Sequence, residues 1–237
     1  MSPPATFDTV AAFDFDGTLT RGGSVFPFLV RARGIGPVVA VVARQLPAIV
    51  RAAIVGGAAA DDVKEAIFAR LLAGLPADAV TRIGKEFADH HLRQRLRPYA
   101  RARLEWHRAQ GHAVVIVSAS PDCYVRPVAE LLGADAALAT RLAVSGDLLT
   151  GRYEGKNCRG GEKYARVMGW LRSQGAASDR AVLWAYGNSR GDLRLLAAAD
   201  HGINAGRLGP FGRLHRYPSL QRVVATELDG HPAPGTV

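Results

Sequence analysis

Two carboxylates, Asp14 and Asp16, stand two positions apart, directly after an apolar run and directly before Gly17. The run over residues 10–15 is typical of a buried strand, and a glycine at 17 would end it. Because side chains alternate along a strand, both carboxylates start on the same side. They repel each other unless a cation lies between them. The pattern indicates a cation site, although a strand followed by a plain Asp-Gly turn explains the same residues.

An apolar run that ends in polar residues occurs again later in the chain. A β-branched run ends at Ser118, and a later apolar run is followed by Asn188. Lys163 and Asp192 each stand at the start of a predicted helix. In an open α/β sheet, ligands bind beyond the carboxyl ends of the strands. Taken singly, Ser118 is typical of a strand-end cap and Lys163 of a solvated helix lysine, so only the whole set indicates a site.

Strand-like and helical segments alternate through the second half of the chain. Strands are predicted over residues 113–117, 136–139, 181–186 and 201–204, and helices over residues 122–132, 163–173 and 192–199. Repeated strand–helix units imply a parallel sheet with helices on both faces. Within residues 142–153, Ser145-Gly146-Asp147 predicts a hairpin turn. Beyond Pro218 we expect irregular structure.

A segment of different character follows Thr20. Asp62 and Glu65 have the spacing of a capping box and predict a helix start, and Pro76 opens another helix. A third helix is predicted over residues 100–110. The segment is therefore expected to be helical throughout.

The apolar part of this segment, residues 34–50, has only 17 residues and contains Arg44 and two prolines. A membrane-spanning helix needs about 20 largely apolar residues, so we do not expect one here. Two interpretations remain: helices packed over an apolar pocket, or an amphipathic pair on a membrane surface. In the second, the basic side chains toward the head groups are Arg31, Arg33, Arg44 and Arg51.

Charge is spread unevenly along the 237 residues, whose 48% hydrophobic and 22% charged content is that of a globular protein. The net charge is +9, and residues 21–105 carry 14 Lys/Arg against 7 Asp/Glu. This excess suggests an anionic partner, such as a phosphorylated substrate or lipid head groups, although an arginine-rich surface typical of GC-rich genomes explains it equally. We do not expect nucleic acid as a partner, because few aromatic side chains are available to stack on bases.

The expected compartment is the cytoplasm. Cys123 and Cys158 form no metal-type pair and suit a reducing environment. Residues 1–8 lack the basic and apolar regions of a signal peptide. If the amphipathic pair binds lipid, the protein would be peripheral at the inner membrane surface.

The set of motifs resembles the haloacid-dehalogenase (HAD) superfamily of phosphohydrolases. The matching segments are Asp14-Phe15-Asp16-Gly17-Thr18, Ser118 after a β-branched run, Gly161-Glu162-Lys163, and Gly187-Asn188-Ser189-Arg190-Gly191-Asp192. The resemblance implies a Rossmann-like parallel sheet plus an inserted all-helical cap of the superfamily's first type. The core would then comprise residues 1–22 and 106–237, and the cap residues 23–105. The whole chain is similar to the branch that holds phosphoserine phosphatase-like enzymes and a phosphatidylglycerophosphatase.

This resemblance implies a Mg²⁺-dependent phosphatase with an aspartyl-phosphate intermediate. Asp14 would be the nucleophile, Asp16 the general acid and base, and Lys163 the fixed positive charge that offsets repulsion between Asp14 and the phosphate. The expected phosphate-binding residues are Gly17, Thr18, Ser118, Ala119 and Lys163. The expected metal ligands are Asp14, Asp16, Asn188 and Asp192, with Mg²⁺ as the cofactor.

Two positions depart from the family pattern. Asn188 stands where an aspartate is common, so Asp192 is expected to carry more of the metal binding. Gly23 stands where phosphoserine phosphatases have a glutamate that meets the substrate ammonium. The expected substrate is therefore a small metabolite phosphate or a lipid phosphate such as phosphatidylglycerophosphate. The alternatives are a phosphoserine phosphatase and a basic membrane-surface binding protein with a vestigial site.

Overall fold

The computed structural model describes residues 7–174, 181–206, 216–221 and 223–224. Its strands are β1 (Thr9–Phe13), β2 (Ala113–Pro121), β3 (Ala136–Thr140), β4 (Leu142–Ser145), β5 (Leu148–Tyr153), β6 (Val182–Gly187) and β7 (His201–Asn204). Its α-helices are α1 (Val25–Arg33), α2 (Ile35–Val55), α3 (Ala58–Leu71), α4 (Ala77–Arg95), α5 (Pro98–Ala109), α6 (Asp122–Leu132), α7 (Gly161–Ser173) and α8 (Leu193–Ala198). A single 3₁₀ turn, Arg190–Asp192, precedes α8.

Five parallel strands form the central sheet in the order β3-β2-β1-β6-β7. The first strand lies in the middle, because Val10 pairs with Ala113 on one side and with Leu183 on the other. Both faces of β1 are buried, which explains why its sequence is continuously apolar rather than alternating. The carboxylates that follow β1 therefore leave the sheet at its centre.

Helices cover both faces of this sheet. Ala11 and Phe13 pack into one hydrophobic cluster with residues of α5 and α6, whereas Val10 and Ala12 pack into a second with α7 and α8. The predicted α/β class is thereby confirmed, and α6 has the predicted bounds. The described part of the tail beyond Pro218 differs from the expected irregular structure, because residues 220, 221, 223 and 224 are helical. Leu220 and Val223 are buried in the core cluster.

The helices α1 to α4 form a helical layer between β1 and α5. Close contact holds it to the core: a Cβ at Gly84 on α4 would lie 2.2 Å from the carbonyl oxygen of Cys123 on α6. The predicted start at Asp62 is wrong, because α3 begins at Ala58 and Asp62 lies inside it. The alanines before Asp62 are strong helix formers and extend the helix back to the Gly56-Gly57 pair.

The β4–β5 hairpin, predicted from its turn, packs against α3. A Cβ at Gly151 would lie 2.4 Å from Ala69 Cα, so the two backbones touch. The amide of Tyr153 donates to Glu65 Oε1 at 2.8 Å. The amide of Leu149 donates to the Leu75 carbonyl at 2.9 Å. A hairpin from the second half of the chain thus supports a helix from the first half.

The long helix α2 differs from the sequence expectation. It continues through Pro47 for 21 residues, and Pro37 lies in its first turn, where no amide donor is required. It is the one helix within the described ranges that is long and apolar enough to cross a membrane. Only 11% of its most apolar stretch is buried. Its exposed large apolar side chains are Ile35, Val39, Leu46, Val50, Ile54 and Val55.

Candidate active site

Asp14 is fixed at the carboxyl end of β1. Its amide donates to the Tyr186 carbonyl at 2.9 Å, which continues the pairing with β6. Thr18 Oγ1 donates to Asp14 Oδ2 at 3.0 Å, and Lys163 Nζ donates to Asp14 Oδ1 at 2.5 Å. The carboxylate is only 6% exposed. Both of its oxygens are therefore oriented by neighbours from separate parts of the chain.

Lys163, in the first turn of α7, bridges two carboxylates. Its Nζ also donates to Asp192 Oδ1 at 2.6 Å, and both of these side chains are buried. Burial and the charge of Asp192 raise the pKa of Asp14 to about 7, against the opposing effect of Lys163. Burial lowers the pKa of Lys163, but Asp14 and Asp192 outweigh it and hold that pKa above its ordinary value. One ammonium thus binds two carboxylates and cannot fully neutralise both.

Asp192 is held from its other side by the turn that follows β6. Its Oδ2 accepts from the amides of Asn188 and Ser189, at 3.1 and 2.9 Å, and from Ser189 Oγ at 2.8 Å. Burial alone would raise the pKa of Asp192, but the contact with Lys163 and these donors keep it below its usual range. The Asp192 side chain packs directly against the Gly187 backbone. Only glycine leaves room for it, because a Cβ at position 187 would lie 2.4 Å from Asp192 Cβ.

Asp16 is held by hydroxyl groups rather than by a cation. Ser24 Oγ and Ser120 Oγ donate to its Oδ2 at 2.9 and 2.5 Å. Ser24 Oγ also lies 2.8 Å from the hydroxyl of Tyr124 on α6. The other oxygen, Asp16 Oδ1, is buried and has no hydrogen-bond partner in the described part of the chain. This orphaned acceptor leaves Asp16 able to bind a further group.

Gly17 brings the turn after β6 into contact with the first motif. Its φ is +80°, a left-handed conformation that favours glycine. A Cβ at this position would lie 1.9 Å from Asn188 Nδ2, so the Asn188 side chain lies directly against the Gly17 backbone. The structure therefore places Asn188 beside the loop that carries Asp14 and Asp16.

The end of β2 contributes Ser118 and Ala119. Ser118 is 1% exposed, and its hydroxyl accepts from the Ser120 amide at 3.1 Å. The Ala119 carbonyl accepts from Lys64 Nζ at 2.5 Å and from Thr140 Oγ1 at 2.8 Å. Burial lowers the pKa of Lys64 to about 8. A lysine of the helical layer thereby reaches the predicted phosphate-binding loop.

The charge balance at these loops suits a cation. Asp14 and Asp192 share one ammonium, and Asp16 accepts hydrogen bonds from neutral hydroxyls. Within the described ranges, no group of three or more His, Cys, Asp or Glu is arranged to hold a metal by itself. Neutral oxygens, such as the Asn188 amide and the Asp16 carbonyl, would therefore have to complete a coordination shell around a hard cation.

A family model for haloacid dehalogenase-like hydrolases matches residues 11–197, a span that begins in β1 and ends in α8. The chain belongs to the haloacid dehalogenase-like hydrolases. The resemblance drawn from the four motifs is thereby confirmed at the level of the superfamily.

Individual relatives cover most of this chain. Protein CicA from Caulobacter vibrioides is 36% identical over 192 residues, which are 81% of this chain and 83% of CicA. A protein of unknown function from Bordetella pertussis Tohama I is similar in structure, with a TM-score of 0.72, 24% identity and coverage of 96% of this chain and 98% of that one. A substrate-bound phosphoserine phosphatase has a TM-score of 0.64 at 18% identity and covers 94% of this chain and 98% of its own.

The structure brings part of the predicted site residues into direct contact, and it links Ser118 to Asp16 through Ser120. Asp14, Lys163 and Asp192 are in direct contact, and Thr18 contacts Asp14. Other contacts were missed. Ser120 could have been found, because it lies two residues after Ser118 and shares its side of the strand. Ser24, Lys64 and Tyr124 carry no local signal, because only the packing of α1, α3 and α6 brings them to the site.

Proposed function

We propose that this HAD-like hydrolase is a Mg²⁺-dependent phosphatase that acts on phosphate monoesters through an aspartyl-phosphate on Asp14. The observation that carries the proposal is the Asp14 carboxylate, buried at the centre of the sheet edge and oriented by Lys163 and Thr18. A carboxylate fixed in this way can attack phosphorus without first losing rotational freedom.

In the first half of the reaction, an Asp14 oxygen bonds to phosphorus and the bond from phosphorus to the ester oxygen breaks. Asp16 gives its proton to the leaving alcohol oxygen. Lys163 offsets the charge that accumulates between the phosphoryl oxygens and Asp14. Ser24 and Ser120 hold the Asp16 carboxyl group, which fixes the direction in which its proton is delivered.

In the second half, water attacks the phosphorus of the aspartyl-phosphate. Asp16, now ionised, takes a proton from that water, and the bond between phosphorus and the Asp14 oxygen breaks. Inorganic phosphate leaves and Asp14 returns to its carboxylate form. Gly17 gives the phosphoryl group access to the backbone of this loop, and Ser118 and Ala119 would bind its remaining oxygens.

Mg²⁺ would be held by Asp14, by Asp192 and Asn188 from the turn after β6, and by the backbone carbonyl of Asp16. Two carboxylates that share a single ammonium support such a site. Asp16 Oδ1, which has no hydrogen-bond partner in the described part of the chain, stays available to carry the proton. When bound, the cation would supply positive charge that stabilises the phosphoryl oxygens in the transition state.

The substrate is a small metabolite phosphate or a lipid phosphate such as phosphatidylglycerophosphate. The structural similarity to a phosphoserine phosphatase supports a phosphorylated small molecule. Phosphoserine itself is the alternative, but Gly23 provides no carboxylate for its ammonium group, and nothing lies within 4 Å of a Cβ built there. A substrate without a cationic head fits better.

A peripheral contact with an anionic membrane is a second proposal, for a cytoplasmic protein at the inner membrane surface. Residues 17–60 contain no aspartate or glutamate but five arginines. The apolar side chains of α2 are exposed in the same stretch. This surface alone would also suit a binding protein with a vestigial site, but the contacts among Asp14, Lys163 and Asp192 favour retained catalysis.

The test of the activity is release of inorganic phosphate from a panel of metabolite, lipid and aryl phosphates. We expect release in Mg²⁺, none after chelation by EDTA, and recovery when Mg²⁺ is restored. No release from any monoester by folded protein in Mg²⁺ would reject the proposal.

A further inference from the structure

A pocket of about 480 Å³ lies among α1, α2 and α3. Its volume is within the range typical of small-molecule sites. Most of its wall is aliphatic or aromatic, and nothing in the phosphoryl chemistry above uses it. Representative wall residues are Val25, Leu29, Val42, Ile49, Ile67 and Phe68.

The cationic part of the wall consists of Lys64, Arg159 and Arg190. Each is connected to the candidate active site. Lys64 Nζ donates to the Ala119 carbonyl at 2.5 Å, beside the predicted phosphate loop. Arg190 follows Ser189, whose hydroxyl donates to Asp192. A Cβ on Gly191 would lie 3.2 Å from Arg159 Cγ. Lys64 is the cation of this wall that contacts the phosphate loop, whereas the Arg159 guanidinium pairs with Asp61 at 3.4 Å.

The apolar part of the wall also begins at the site. Val25 is the residue after Ser24, and Ser24 Oγ donates to Asp16 Oδ2 at 2.9 Å. Asp16 is the group that would protonate the leaving oxygen, so the alcohol part of a substrate must lie near it. From there the pocket continues between α1 and α2, where the side chains that line it are apolar. A polar alcohol in it would lose its hydrogen bonds to water, whereas an alkyl chain would gain by leaving water.

We infer that this pocket binds the apolar chain of the substrate, which is then a phosphorylated amphiphile with its phosphate at Asp14. The inference rests on the proposed phosphatase activity and names its substrate class. The basic side chains at the junction face the anionic head, and the aliphatic wall surrounds the chain.

Binding of alkyl phosphonates tests the subsite apart from catalysis, because their carbon–phosphorus bond is not an ester. Calorimetric titration in Mg²⁺ would compare ethyl to dodecyl phosphonate below their micellar concentrations. Affinity should rise by about fourfold for each methylene that leaves water, and should level off when the pocket is full. Affinity that does not change with chain length, or no binding at any length, would overturn the inference.

Two tryptophan variants of α2 locate the chain. Ala53 lines the pocket and is exposed, so Ala53→Trp fills the pocket without disturbing the core. We expect it to remove the dependence on chain length. Ala40 is exposed on the same helix and does not line this pocket, so Ala40→Trp is the matched control and should bind as wild type does.

The remaining outcomes are also decisive. If affinity keeps rising with chain length and both variants bind like wild type, the chains adsorb to the exposed face of α2 and the pocket inference is wrong. Failure of the proposed phosphatase activity would be recognised separately. No monoester would then release phosphate, regardless of how the phosphonates bind. If short esters release phosphate but phosphonate affinity is the same at every chain length, the amphiphile inference is rejected and the phosphatase proposal stands.

Discussion

Charged side chains at the sheet edge are buried and paired, whereas those on α2 are exposed and have no acidic residue near them in sequence. Lys163 and Asp192 are 2% and 1% exposed and lie 2.6 Å apart. Arg44 and Arg51 are exposed among apolar side chains, and residues 17–60 contain no acidic residue. The same chain therefore contains one cluster whose charged groups contact one another and one set of arginines without an acidic neighbour in sequence.

This difference separates the roles proposed for the two regions. Buried ion pairs are costly unless every group is well placed, so the sheet-edge cluster is built for fixed chemistry. Large exposed apolar surfaces mark interaction sites, and the exposed apolar side chains of α2 are the surface on which the membrane proposal depends. Four changes would test the two regions separately.

Asp14→Asn should have the largest effect, a loss of at least about 10³-fold in turnover, because the neutral amide is a poor nucleophile. Hydrolysis of an aryl phosphate measures the rate, and circular dichroism checks the fold. Vesicle binding through α2 should not change. A folded variant that hydrolyses at the wild-type rate would show that Asp14 is not the nucleophile.

The metal ligands should come next. Asp192→Ala should raise the Mg²⁺ concentration needed for half-maximal activity by about 10² or more, because a carboxylate binds a hard cation better than an amide does. Asn188→Ala is the comparison and should raise it less. Mg²⁺ titration of EDTA-treated protein measures both. A larger effect at Asn188 would reverse the assigned ranking.

Arg44→Glu combined with Arg51→Glu should weaken flotation with anionic vesicles by about 30-fold or more at low salt, since each basic side chain near the surface contributes roughly 1 kcal/mol. Aryl-phosphate hydrolysis should be unchanged. Arg152→Glu with Arg172→Glu, exposed residues of β5 and α7, changes the net charge equally and is the control. If both pairs weaken flotation alike, only net charge matters.

Ser24→Ala tests the junction of the two regions and should have the smallest effect. Loss of one hydrogen bond to Asp16 should lower kcat by about two- to tenfold, with KM unchanged. Ser24→Thr, which keeps the hydroxyl, should restore most of it. Equal losses in both variants would indicate a packing defect at the start of α1 rather than a role in positioning Asp16.

The sheet-edge cluster was predicted from strand ends together with the family resemblance. Asp14 follows a continuous apolar strand, so the strand end alone predicts a ligand site there. Lys163 and Asp192 were added by the resemblance of the four motifs to the HAD superfamily. Lys64 and Ser24 could not be found, because their contacts depend on how α1 and α3 pack over the site. The apolar stretch was counted as residues 34–50, with Arg44 and two prolines inside it, whereas the helix continues through Pro47 to Val55.

The hairpin that braces α3 limits how the two parts of this chain can be recombined. Residues 23–105 were predicted to be an inserted unit, yet α3 touches Gly151 through backbone atoms and accepts the Tyr153 amide at Glu65. A chimera that exchanged that insert alone would leave β5 packed against a foreign helix. No lysine would then be positioned, as Lys64 is, to reach the Ala119 carbonyl. Transplanting this specificity into another HAD-like scaffold requires grafting residues 142–153 together with the helices.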